Sequence, residues 1–228
     1  MTAEELIQAQ RDIHNKIESF AEEAGLTQND SVSPIYDGVY DVELYLGTIP
    51  RIMWVLKEPV DEDGGGWEIM KHIVDHPDKS YRVPTWRKLI KTSYGIINHQ
   101  PWHEELFRHI DREMVKTVEK IAYINLSKMP GDKRSVDSKL KKNYSLWRNI
   151  LFEQIEVYDP QIIIFGNTFK FFKEDMIGLD IEPKKIGGYL DIYERNGVLL
   201  FDAYHPSSSK FSNDCIKSII EVSLKRYC

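Results

Sequence analysis

A histidine, a glutamate and two asparagines stand at the ends of apolar segments, and those placements set the chemical question. His205 follows the apolar run Val198–Ala203 and precedes Pro206 and Ser207. Glu58 comes after Ile52–Leu56 and precedes Pro59, Asn125 closes Ile121–Ile124, and Gly166-Asn167 closes Ile162–Phe165. Each segment reads as a buried strand running into a polar or Pro/Gly loop. In an open α/β sheet, ligands collect beyond the carboxyl ends of the strands, where loops converge and helix N-termini point inward. Pro206 fixes one backbone torsion and biases His205 toward an extended conformation, so a stiff turn presents the imidazole. A carboxylate suits developing positive charge or an attacking water, and a strong hydrogen-bond donor suits developing negative charge. Plainer roles stay open beside these: a satisfied histidine, an asparagine capping the next turn, and a solvated loop acid.

Other residues invite chemistry with less force. Gly64-Gly65-Gly66 could be a phosphate cradle, a lid or a solvated turn. Asp61, Glu62 and Asp63 would repel an anion there, and no Lys-Ser/Thr follows as a P-loop requires. The same carboxylates could instead hold a hard metal ion such as magnesium. From Lys128 to Lys142 the chain is locally basic, with Lys128, Lys133, Arg134, Lys139, Lys141 and Lys142 against Asp132 and Asp137. That composition points to phosphate contact. His72, His76, His99, His103 and His109 are scattered without ligand spacing, so no zinc site is expected. Tyr94, Trp102 and Trp147 read as core aromatics.

The elements that must position these groups follow from periodicity. Thr2-Ala3-Glu4-Glu5 has the form of a capping box, with Leu6, Ile13, Ile17, Phe20 and Ala21 at helical spacing and Gly25 as the stop. Thr27 to Pro34 is turn-like, and Val39–Leu46 reads as a short strand. Helices are expected over Trp67–Val74, Pro84–Ile97 and His103–Val118. Lys128 to Lys142 is a loop, followed by a helix through Tyr144, Trp147, Leu151 and Ile155 that ends at Asp159-Pro160. Tyr189–Arg195, Asn196-Gly197 and Val198–Ala203 form a type I′ hairpin. Phe211, Ile216, Ile219, Ile220 and Leu224 mark a last helix capped by Ser212, with Phe211 and Ile216 as its hydrophobic staple.

Bulk properties narrow the class. A chain of 228 residues can bury a proper core as one domain, with a net charge of −6 that disfavours global attraction to nucleic acid while leaving room for a local basic groove. Cys215 and Cys228 have no metal-binding spacing and suggest no disulfide framework, so a reducing cytoplasm fits. No run approaches the ~20 apolar residues of a membrane span, and the start of the chain has no leader pattern.

The strand ends, taken in order, resemble those of the uracil-DNA glycosylase superfamily. Ala203-Tyr204-His205-Pro206-Ser207 resembles its C-terminal His-Pro-Ser motif, and Lys57-Glu58-Pro59 its N-terminal motif. Ile124-Asn125-Leu126 resembles the strand whose asparagine reads the base, and Asp159–Asn167 the family's aspartate-proline, buried strand and glycine element. The resemblance covers roughly Thr48 to the C-terminus. It implies that Glu58 activates water, Asn125 binds a uracil-like edge and His205 hydrogen-bonds the O2 oxygen of the leaving base, which must be extruded from its stack. It also implies a catalytic pair Glu58 and His205, substrate contacts from Asn125, Pro59, Ser207 and Asn167, and nucleic-acid contacts from Lys128, Lys133, Arg134, Lys139, Lys142, Ser208 and Lys210. No cofactor or metal is implied.

The expectation is then a three-layer α/β/α fold with a mainly parallel four-stranded central sheet and an antiparallel edge strand. It spans residues 1–228 as one domain, with 1–47 an extension and 48–228 the glycosylase-like core. The expected protein is a cytoplasmic, monomeric DNA base N-glycosidase acting on a damaged or deaminated base. Val60 stands where the family has an aromatic residue, and no wedge residue follows the histidine motif. A non-catalytic module holding a base in the same pocket is therefore the alternative, and a metal-dependent hydrolase built on Asp61–Asp63 a third reading.

Overall fold

The structure, a computed structural model, describes residues 1–27, 32–178 and 181–227. In chain order its helices are α1 (Ala3–Glu23), α2 (Val42–Leu46), α3 (Ile69–Asp75), α4 (Pro77–Ser80), α5 (Pro84–Ile97), α6 (Arg112–Val115), α7 (Asp137–Tyr158), α8 (Phe169–Ile177) and α9 (Asn213–Tyr227). The strands are β1 (Gly38–Val39), β2 (Ile52–Leu56), β3 (Ala122–Asn125), β4 (Ile162–Gly166), β5 (Lys184–Ile186), β6 (Leu190–Arg195) and β7 (Val198–Ala203). They form one seven-stranded sheet in the order β1-β3-β2-β4-β7-β6-β5. The central β3, β2, β4 and β7 are parallel, and β1, β6 and β5 are antiparallel. The four expected core strands are all present, and the sheet gains β1 and β5 at its edges.

Burial on both faces explains the unbroken apolar runs. Ile52, Trp54 and Leu56 of β2 join a core with α3, α5, α6 and α9, whereas Met53 and Val55 join one with α1, α2, α7 and α8. The chain is thus a mixed α/β structure with helices on both faces of the sheet. The connection from β2 to β3 runs through α3–α6 on one face, and that from β3 to β4 runs through α7 on the other. Strand order reverses at β2, so a crevice opens between the β2 and β4 ends, where open α/β sheets take their ligands.

Local expectations hold where a short-range signal dictates them. Thr2 Oγ1 accepts from the Glu5 amide at 3.2 Å and Glu5 Oε2 accepts from the Thr2 amide at 2.7 Å, closing the capping box. Asn196 and Gly197 have φ of 52° and 81°, as a type I′ turn needs. Ser212 Oγ accepts from the Cys215 amide at 3.4 Å, and Phe211 and Ile216 are fully buried, in keeping with a staple and unable to serve as an exposed wedge.

Three expectations are corrected. Val39–Leu46 is not a strand: Asp41 Oδ1 accepts the Leu44 amide at 2.9 Å and caps α2, overriding the aromatic alternation. His103–Val118 is not one helix but a turn, then α6, then a 3₁₀ segment, Lys116–Lys120, because Asp111 caps a new start. The stretch from Lys128 to Lys142 is loop only as far as Val136, so Lys139, Lys141 and Lys142 lie on the first turns of α7. The turn expected over Thr27 to Pro34 and the Cys228 thiol fall partly or wholly outside the described residues. Among the described residues no helix is long and apolar enough to cross a membrane.

Candidate functional site

A cleft of about 620 Å³ opens at the carboxyl end of the parallel strands. Glu58 and Val60 line it from the segment after β2, Asn167 from the end of β4, and His205, Ser207 and Ser208 from the segment after β7. Lys133 and Arg134 contribute from the connection after β3. Thr85, at the start of α5, closes another side. Gly166 is what lets these walls approach. A methyl group there would sit 2.3 Å from Leu56 Cδ2 and 3.0 Å from Pro206 Cδ.

Sheet pairing continues past the strands to build the Glu58 wall. Leu126, Ser127 and Gly131 donate their amides to the carbonyls of Leu56, Lys57 and Pro59 at 2.9, 2.9 and 2.8 Å. Gly131 then lies directly over Glu58, and a Cβ at that position would fall 2.6 Å from Glu58 Cγ. The Glu58 side chain is only 2% exposed, and neither carboxylate oxygen has a hydrogen-bond partner. Lys139 Nζ stands 4.0 Å from Oε2 and donates instead to Asp132 at 3.0 Å. Such a group is normally satisfied, so its isolation marks a place where a donor binds.

His205 is held by its own turn. Its Nδ1 lies 2.8 Å from Ser207 Oγ and 3.2 Å from the Ser207 amide nitrogen. An amide N–H only donates, so Nδ1 accepts and a neutral ring carries its proton on Nε2. Burial, reinforced by Lys57 and Lys88, pulls the imidazole down to about 4. At neutral pH the ring is uncharged, with one N–H to offer. Lys88 is itself anchored, donating to the Ser208 carbonyl at 2.7 Å. Asn167 adopts the left-handed conformation at φ 61°, which asparagine tolerates, and its amide donates to the Ala203 carbonyl at 2.7 Å.

Asn125 and Pro59 are not among the residues lining the cleft. Asn125 lies fully buried at the end of β3, in register with Leu56. Its backbone amide donates to Asp37 Oδ2 at 2.7 Å, its Oδ1 accepts from the Tyr123 hydroxyl at 3.2 Å, and its Nδ2 has no partner. Pro59 is buried and takes part through its carbonyl.

Lys128 corrects the proposed phosphate grip. It is 0% exposed, and its Nζ donates to both Asp37 oxygens at 2.8 Å and to Gln154 Oε1 at 2.7 Å. An ammonium sealed in the core cannot touch a phosphate. Lys133 and Arg134 do reach the cleft, although Lys133 pairs with Glu62 at 2.6 Å. Lys139 and Lys142 are exposed on α7, and exposed Lys210 sits 5.0 Å from the Tyr204 ring.

The acidic glycine loop is a braced turn. Asp61 Oδ2 accepts from the Gly65 amide at 2.6 Å, and Gly66 donates to the Pro34 carbonyl at 3.0 Å. With Asp61 turned inward and Glu62 paired to Lys133, the three carboxylates do not converge as ligands. Asp37, Gln154 and Tyr123 escaped the sequence reading, since nothing local separates a buried aspartate from a solvated one. Neither the family models nor the curated proteins give a match to this chain.

Proposed function

We propose that the chain is a nucleic-acid base N-glycosidase of the uracil-DNA glycosylase type, working in the cleft between Glu58 and His205. One observation carries the reading. The buried side-chain polar atoms without a partner among the described residues are both Glu58 oxygens, Asn125 Nδ2 and Trp147 Nε1. Three of these four atoms belong to two residues picked out by motif, on neighbouring parallel strands. Cores rarely tolerate such orphans, so a ligand supplies the missing partners.

In the proposed reaction a water oxygen bonds to the anomeric carbon while the bond from that carbon to the base nitrogen breaks. The bonding pair leaves with the base, and Glu58 takes the proton of the water and faces the cationic sugar. His205 donates Nε2–H to the oxygen where the charge of the base gathers. A neutral imidazole suits this task, because it donates without carrying a proton that it would have to lose. Lys133 and Arg134 hold phosphates and fix position without reading sequence.

Oligonucleotides containing uracil, hypoxanthine or xanthine, single- and double-stranded, test the proposal through the appearance of abasic products. Glu58→Gln and His205→Asn should each reduce turnover by about a hundredfold or more. Turnover that survives both substitutions refutes the site assignment. A second reading, a module that binds a base without cleaving it, draws on Val60, 52% exposed at the cleft, and on the buried Phe211. Both leave the site without an aromatic stacking face or an exposed wedge. Tight, salt-dependent binding with no product would favour that reading.

A further inference from the structure

Asn125 is fixed at all of its polar positions except one. Asp37 Oδ2 accepts its backbone N–H at 2.7 Å, and the Tyr123 hydroxyl holds its Oδ1 at 3.2 Å. Nδ2 is left without a partner on a fully buried side chain. The Tyr123 ring cannot easily swing away, since it is 5% exposed and Trp86 packs on it at 4.8 Å between centroids. Its phenol also keeps its proton, because burial, with the charge of Asp37, drives its pKa far above the ordinary value. A retained phenol proton needs an acceptor, and Asn125 Oδ1 is the one it has.

We infer that Tyr123 sets which way the Asn125 amide faces, so that the site offers an N–H pair and takes a ring whose facing edge bears an oxo group rather than an amino group. A flipped amide would turn its N–H toward the phenol and leave the phenol proton without an acceptor inside the core, a costly arrangement. An amino-bearing edge would meet the unflipped N–H pair donor to donor. Sites built around a specific hydrogen bond discriminate by the penalty of leaving such groups unpaired. Tyr123 thereby acts as a positioning residue for specificity, and the inference rests on the proposal that this site holds a base.

The test uses two labelled single-stranded oligonucleotides of one sequence, differing only in uracil or cytosine at the central position. Both carry a 2′-fluoro sugar there, so the base stays attached, and a third carries an abasic analogue. Wild-type protein should bind the uracil strand more tightly than the cytosine strand. Tyr123→Phe keeps the ring and removes the hydroxyl. It should lower the uracil-to-cytosine preference roughly five- to hundredfold, the range of one hydrogen bond and its orphaned partner. Affinity for the abasic strand should not change, which a merely loosened fold would not permit.

A preference that persists undiminished in Tyr123→Phe overturns the inference while leaving base binding intact. Wild-type protein with no preference between the strands overturns base reading and the inference together. A preference without any abasic product from an unmodified uracil strand removes only the glycosidase activity. If Tyr123→Phe fails to fold, the wild-type protein decides. The Asn125 side-chain N–H pair, identified by its loss from the ¹⁵N spectrum in Asn125→Ala, should shift with the uracil strand and not with the cytosine strand. Equal shifts refute the lock.

Discussion

Asp37→Asn should be among the most damaging conservative substitutions in this chain, and its cost should depend on pH in a definite direction. The Asp37 carboxylate is 0% exposed and accepts Lys128 Nζ on both oxygens, Gln154 Nε2 at 2.8 Å and the Asn125 amide. Asparagine keeps the shape but strands the Lys128 ammonium without a countercharge, and breaking a buried pair in this way costs about 3–5 kcal/mol. The penalty has a ceiling, because the lysine can release its proton instead. Burial already pulls Lys128 below its ordinary 10.5, against the opposing pull of Asp37, and losing that carboxylate lowers it further. Releasing a proton at pH 7 costs about 1.4 kcal/mol for each of the 3.5 units from 10.5, a ceiling of about 5 kcal/mol. At pH 9 the ceiling falls to about 2 kcal/mol. For a lysine with a depressed native value, the unfolded chain binds more protons and stability rises with pH, so the deficit of Asp37→Asn should shrink between pH 7 and 9. Urea unfolding of wild type, Asp37→Asn, Lys128→Met and the double variant measures it, with the midpoint moving at constant slope. The double variant should recover more than 1 kcal/mol of the summed single losses. Strict additivity, or a deficit that is flat or grows from pH 7 to 9, refutes the reasoning.

Two further predictions concern the cleft. Lys133→Glu with Arg134→Glu should weaken oligonucleotide binding for all sequences and flatten the salt dependence by about one to two units, roughly one for each lost phosphate contact. Base preference should not move, and an unchanged slope would mean these side chains never meet phosphate. His205 should remain neutral at pH 5.5 when its ring carbons are followed by NMR, because its folded value is near 4. For a histidine with a depressed native value, the unfolded chain takes up the proton first. Stability is then intact above about pH 6.5 and is lost as pH falls toward 4, by at most about 3 kcal/mol. A midpoint near 6.5 in the folded protein would show that the ring is open to water and free of the Lys57 and Lys88 field.

What the sequence made legible was whatever neighbouring residues decide. Ile162–Phe165 and Val198–Ala203 are apolar on both faces and bounded by Gly or Pro, so their place in a buried parallel sheet follows from composition. Asn196-Gly197 fixes its own turn. The β2 and β7 ends of the cleft were found the same way, by a polar residue set against a proline after such a strand. What stayed hidden depends on distant partners. Lys128 lies in a stretch of cations that reads as a solvated surface, and only Asp37, 91 residues away, makes its burial tolerable. Asn125 was found, but its fixation by Tyr123 and Asp37 was not, because a hydroxyl two residues earlier on a strand announces no direction. The misread Val39–Leu46 shows local signals in conflict: aromatic alternation suggests a strand, and the Asp41 cap wins.

The cations of the cleft also bear on how a chain of net charge −6 could hold a polyanion. Nearly every exposed basic side chain around the cleft already has a carboxylate beside it: Lys133 with Glu62, Lys139 with Asp132, and Lys170 with Asp137. Exposed pairs of this kind are worth little, at most about 1 kcal/mol each, so a phosphate can displace the carboxylate at small cost. Each exchange swaps one anion for another, however, and yields less than a phosphate meeting a bare cation. Lys57 and Lys88 differ, since burial lowers the pKa of both and both bear on His205. A phosphate drawn to them would come to the rim beside the imidazole and offset the field that keeps it neutral. Backbone binding and the donor state of His205 are then coupled: the more firmly a strand is held at Lys57 and Lys88, the higher the pH at which the ring takes up a second proton.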